Sequence, residues 1–135
     1  HLKPNGIIAF QESDAINGRV GGDRLPHHQE AIQRVWQTVQ AEGGDIHIGQ
    51  KLYDLFLRIG IEAPHIDAEA VMQTAEDNDL QWLTEIMIER MRAHHIVDAN
   101  FTLDQFKQEM TEEAEENKAA FIRDMNFGVW GELKK

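Results

Sequence analysis

The sequence predicts an α/β fold from three observations. A short apolar run, Ile7-Ile8-Ala9-Phe10, stops abruptly at Gln11-Glu12-Ser13-Asp14. Two segments with 3.6-residue apolar spacing follow it, and then a second extended stretch. A third strand candidate closes the chain after more helix. An apolar strand with polar residues at its carboxyl end is the layout of an α/β sheet, where sites gather at that end.

Taken in order, Pro4-Asn5-Gly6 is a turn signal, because proline presets one corner and asparagine tolerates a left-handed one. The apolar run after it is too short for a helix and reads as a strand buried on both faces, residues 7–10. Residues 15–26, with three glycines and Pro26, read as a loop. A helix is expected over about 27–42 from Ile32, Val35, Trp36 and Val39, ending at Gly43-Gly44. A second is expected over about 47–59 from Ile48, Leu52, Leu55, Phe56 and Ile59, capped by Gly60. The stretch 61–67 is extended, and Pro64 places it at an edge or a strand start. Residues 68–75 are open between strand and loop.

A helix over about 78–97 carries Leu80, Leu83, Met87 and Met91 on one stripe, widened by Trp82, Ile86, Ile88 and Ala93. Thr102-Leu103-Asp104-Gln105 is a capping-box pattern opening a further helix with Leu103, Phe106 and Met110. That helix passes into the acidic run Glu112-Glu113-Ala114-Glu115-Glu116, which reads as a solvated surface. In the closing segment 126–132, Phe127 and Val129 share one strand face and Trp130 takes the other.

Composition narrows the function. Its 135 residues give a single domain without cysteine, so there is no disulfide framework and no zinc ribbon. No apolar run approaches the roughly 20 residues that cross a bilayer, and no signal-peptide pattern opens the chain. A cytoplasmic location is expected. The net charge is −11, and the second half is the more acidic. That opposes binding to nucleic acid or to anionic membranes, which needs a basic face.

The first strand arrives close to the start, and the three strands are few for a central sheet. The simplest account is the C-terminal part of a larger α/β domain; a small free-standing α+β protein is the alternative. A severed half is expected to self-associate through its exposed strand edge, whereas a complete domain should unfold cooperatively as a monomer.

Several segments then resemble one family. Leu2-Lys3-Pro4-Asn5-Gly6 with the strand ending in Glu12 and Asp14, the segment Gly44-Asp45 through Gly49 with the helix Leu52 to Ile61, and Phe127 to Lys134 resemble, in order, three segments of class I S-adenosylmethionine-dependent methyltransferases. The resemblance implies the C-terminal half of a Rossmann-like, doubly wound sheet. Residues 1–75 would be its core part, 76–125 a helical insertion or lid, and 126–135 the closing strand. It implies methyl transfer from S-adenosylmethionine to a small-molecule acceptor. Asn5 stands where the family usually has glycine, and Glu132-Leu133-Lys134-Lys135 where Arg-Lys-Pro is common. The family's cofactor-binding glycine turn and ribose-binding acid are absent from this sequence, so the chain alone is expected neither to bind the cofactor nor to turn over.

By that resemblance, Glu12, Ser13 and Asp14 are the substrate-side candidates; their plainer role is loop capping. Arg19 and Arg24 are candidates for an anionic substrate, or plain surface cations. No catalytic residue is assigned. The histidines, His27-His28, His47, His65 and His94-His95, have no metal-ligand spacing, so no metal is expected. No nucleophile elbow is present. Met72, Met87, Met91 and Met110 either line a roof over an apolar acceptor or pack the core. The competing function class is a protein-interaction module docking through the 78–97 helix.

Overall fold

The computed structural model describes residues 3, 5–16 and 24–134. Seven elements follow one another: strand β1 (Ile7–Asp14), helices α1 (Pro26–Ala41) and α2 (Ile48–Arg58), strand β2 (His65–Thr74), helices α3 (Leu80–Ala93) and α4 (Leu103–Glu116), and strand β3 (Ala120–Glu132). The fold is α/β with an open three-stranded sheet in the order β1-β3-β2. Neighbouring strands are antiparallel. The doubly wound expectation has parallel neighbours, and here the last strand separates the two strands that run the same way.

Two compact units make up the chain. One holds residues 1–16, 46–71 and 124–135; the other holds 17–45 and 72–123.

In the first unit, β1 pairs with β3 from Ile7 opposite Glu132 to Asp14 opposite Met125. Directly opposite residues share a sheet face. One face therefore carries Ile8 and Phe10 with Val129 and Phe127, and α2 lies against it. Leu52 and Phe56 of α2, Ile61 and Val129 form its core, flanked by Ile8, Phe127 and Leu133. On the other face, Trp130 stacks on His65 at 5.4 Å between ring centres. The assignment of Phe127 and Val129 to one face and Trp130 to the other agrees with the alternation read from sequence.

β1 corrects two expectations. It runs to Asp14, four residues past the apolar run. It is also not buried on both faces: Ile7 is 67% and Phe10 54% exposed. The length follows from pairing, because ladder bonds to β3 hold the backbone of the polar residues as well, down to Asp14 opposite Met125. The exposure accords with the place of β1 at the sheet's edge. Among the described residues nothing pairs with its other side. β2 resolves the open stretch: residues 68–74 continue the strand, which starts directly after Pro64.

The second unit is built on α1, α3 and α4. Ala31 and Ile32 of α1 share a core with Leu80, Phe106, Met110, Ala114 and Phe121. Val35 and Val39 pack on Met87, Ile88 and Met91. Pro26 is the first residue of α1, where its missing N–H costs nothing. Thr102 caps α4 as its box pattern predicts, accepting from the Gln105 N–H at 3.3 Å. Met87, Met91 and Met110 are core residues, so of the four methionines considered for a roof only Met72 is exposed. Among the described residues, no helix is long and apolar enough to cross a membrane.

Three helices end alike. Gly43, Gly60 and His95 each follow a helix with positive φ. In each case the next N–H reaches back to a carbonyl five residues earlier: Gly44 to Val39, Ile61 to Phe56, and Ile96 to Met91. These are Schellman ends. Glycine takes the left-handed position freely in the first two, whereas in α3 a histidine takes it at a steric cost.

Candidate functional site

The three substrate-side candidates lie at the carboxyl end of β1, and the structure separates their roles. Glu12 is exposed. Ser13 donates its hydroxyl to the Asn126 amide oxygen at 3.0 Å, across the β1–β3 pair. Asp14 is fully buried.

The surroundings of Asp14 follow from a local deficiency. Helix α2 begins after His47, which makes no side-chain cap of its own. The first N–H groups of a helix need acceptors from elsewhere. Asp14 supplies one from the strand. Its Oδ2 accepts from the Gln50 backbone N–H at 3.1 Å, and its Oδ1 accepts from the Gln50 side-chain amide at 3.1 Å. His47 Nδ1 stands 3.0 Å from the same Oδ1. The positive end of the helix dipole favours a carboxylate there. A backbone bond from the Ala15 N–H to the Ile46 carbonyl, at 2.8 Å, ties the two segments together beside it.

Close approach makes this possible. A Cβ built on Gly49 would stand 2.8 Å from the Phe127 ring and 3.1 Å from the Asp14 Cβ. Glycine is therefore what lets α2 settle against the end of the sheet.

Of the three candidates, Asp14 thus has the capping role as its evident work. What it also does is orient His47. A ring nitrogen beside a carboxylate carries its proton on that side, which fixes the tautomer. His47 is 48% exposed on its side chain. The arrangement presents an oriented imidazole at the carboxyl end of β1. Sequence reading missed His47, Gln50 and Asn126 as members of this group. The only local signal was the segment from Gly44 to Gly49, which already lay in the family resemblance.

On the sheet face that carries Ser13, a shallow depression is lined by Gln11, Asp67, Ala68, Glu69, Asn126 and Gly128. Its chemistry is acidic and amide-rich, suited to hydrogen-bond donors. It is not an apolar roof, and the methionines invoked for one are in the other unit's core, Met72 apart.

Arg19 lies outside the described residues. Arg24 is exposed, just ahead of α1. Among the described residues, no three His, Asp or Glu side chains converge as metal ligands would. The acidic run of α4 is not wholly a solvated surface, because Glu113 is buried.

Among the described residues, those at the carboxyl ends of β1 and β2 do not fit S-adenosylmethionine. β1 ends in Ser13-Asp14-Ala15 and β2 in Thr74-Ala75-Glu76. Among the described residues, neither residues 15–16 after β1 nor residues 75–79 after β2 hold a glycine to let backbone approach a nucleotide-type ligand; Gly18, Gly21 and Gly22 lie outside the described residues. No family model matches the chain, and no curated protein matches it as a relative.

Proposed function

We propose that this chain is the C-terminal part of a class I S-adenosylmethionine-dependent methyltransferase that modifies a small-molecule acceptor, and that the chain alone is inactive. The observation that carries this reading is β1. It runs parallel to β2, since both are antiparallel to β3, and helices connect them as in a βαβ crossover. Yet its apolar residues Ile7 and Phe10 lie exposed on an unpaired edge. An apolar edge strand of this kind is a place for further strands. Its carboxyl end gathers Ser13, Asp14, His47, Gln50 and Asn126, the end at which open α/β sheets place their ligands.

In this reading the cofactor contributes the activated methyl group and is held by residues outside this chain. The chain supplies acceptor-side groups. Asp14 holds α2 in place and orients His47; Ser13 and Asn126 offer hydrogen bonds. The expected location remains the cytoplasm. An apolar acceptor loses its support, because Met87, Met91 and Met110 are core residues.

The test is the reading frame upstream of His1. It should encode a strand ending in a Gly-x-Gly turn, with an acidic residue about 20 positions further on. A start codon immediately before His1 would sink the proposal.

A second reading is a non-catalytic interaction module. It is favoured by Trp82 and Ile86 of α3, which are 59% and 54% exposed one helical turn apart. The upstream sequence separates the two readings.

A further inference from the structure

Unit two contains a buried pair that no proposed chemistry uses. His28 is 1% and Glu113 6% exposed. Helix α1 has no side-chain cap of its own. Glu113 of α4 supplies one: Oε1 accepts from the His27 N–H at 2.9 Å and Oε2 from the His28 N–H at 3.0 Å. The same Oε2 lies 2.5 Å from His28 Nδ1. The other ring nitrogen, Nε2, lies 3.2 Å from the Ala75 carbonyl oxygen. The ring also packs against Phe121 of β3, with centres 5.6 Å apart.

Hydrogen-bond valence decides the rest. A carbonyl oxygen only accepts, and so does an ionised carboxylate. Both nitrogens of His28 therefore face acceptors, and satisfying both takes a ring with two protons. We propose that His28 and Glu113 form a buried proton-dependent latch, closed only when Glu113 is ionised and His28 doubly protonated, which fastens the first turn of α1 to α4 and to the chain at Ala75.

The latch opens from either side. In acid, Glu113 gains a proton and ceases to be a full acceptor for the first turn, leaving the ring's charge without its counter-ion. A ring with a single proton, in turn, sets a lone pair against one of the two oxygens. Other charged groups stand near the pair. From α1, His27 Nδ1 lies 3.7 Å from Glu109 Oε2 of α4, a half-exposed pair that flanks the latch. Glu30 is engaged by Arg34 at 2.7 Å. Arg24 stands two residues before the helix. Ala75 and Phe121, on the ring's other sides, carry no charge; the Ala75 carbonyl also accepts from the Asn78 side-chain amide at 2.9 Å, and Glu76 beside it pairs with Lys118 at 3.2 Å. This inference does not depend on the methyltransferase reading.

Two measurements on the 135-residue chain test it. Nitrogen-detected NMR of the histidine rings should find protons on both nitrogens of His28 at neutral pH. Amide protection factors for residues 29–32, in the first turns of α1, should peak in the middle of the pH range and fall at least tenfold on either side. In Glu113→Gln the acid limb should vanish, with protection at neutral pH lower by roughly a hundredfold, the scale of a broken buried pair. Glu109→Gln should leave the profile unchanged. A single protonated nitrogen on His28 at neutral pH overturns the latch, as does an acid limb that persists in Glu113→Gln. If that variant does not fold, the ring spectrum of the unaltered protein still decides.

Discussion

The start of α2 and the start of α1 present the same problem and solve it with different exposure. Each helix lacks its own N-cap side chain, and each receives a buried carboxylate from a distant part of its unit. Each carboxylate also meets a histidine at the start of the helix it caps, His28 in the first turn of α1 and His47 at the N-cap of α2. At α2 the carboxylate is Asp14 of a strand, and its histidine is half in water. At α1 the carboxylate is Glu113 of a helix, and its histidine is sealed. The difference teaches where rigidity and availability lie. A half-exposed imidazole can meet a ligand; a sealed one can only hold structure and register protons.

The electrostatics agree for Glu113. Burial pushes its carboxyl up, but the His28 ring and the backbone N–H groups of His27 and His28 together outweigh burial and hold it below its ordinary value. A carboxyl lowered in the folded state gives stability that is present in full above its ordinary range. That stability is lost as pH falls through the lowered value. Acid should therefore weaken α1 in the unaltered protein, and much less so in Glu113→Gln.

Four substitutions can break or sharpen the contrast. The largest effect belongs to His28→Ala, which strands a buried carboxylate and should cost about 3 kcal/mol or more in urea unfolding. Asp14→Ala removes the α2 cap and leaves Gln50 unsatisfied, and should cost about 2 kcal/mol. An Asp14→Ala cost as large as that of His28→Ala would erase the distinction between the two sites. His95→Gly should raise stability by about 1 kcal/mol, since it relieves the left-handed position that Gly43 and Gly60 occupy after α1 and α2. The smallest change is expected for His47→Ala, about 0.5 kcal/mol, because the imidazole itself is half-exposed and its pairing with the buried Asp14 is screened by solvent on that side. A loss of 3 kcal/mol there would show that solvent exposure does not separate the two histidines.

What the sequence disclosed depended on how far apart the partners lie. Thr102 and Gln105 are three residues apart, so their box was legible. Gly60 ends α2 through bonds within a single turn, and it too was legible. Asp14 and Gln50 are 36 positions apart, and His28 and Glu113 are 85. No local pattern joins such partners, so a buried Glu113 read as part of a solvated acidic run. The length of β1 was hidden for a related reason. Its last four residues are polar, and only pairing with β3 makes them strand. Ile7 and Phe10 read as buried because their side chains are apolar; edge position overrides that in the chain described here. The exposed Trp82 and Ile86 lay within a stripe that periodicity alone reads as wholly apolar, whereas the packing of α3 against α1 and α4 selects Leu80, Thr84, Met87, Ile88 and Met91 for burial.

The most direct test of the account is calorimetric titration of S-adenosylmethionine into this 135-residue chain and into the polypeptide extended through its upstream reading frame. The account predicts binding to the extended polypeptide alone, because the glycine turn after a first strand and the ribose-binding acid that the family resemblance calls for have no counterpart in this sequence. Micromolar binding to the chain by itself, or none to the extended polypeptide, would contradict it.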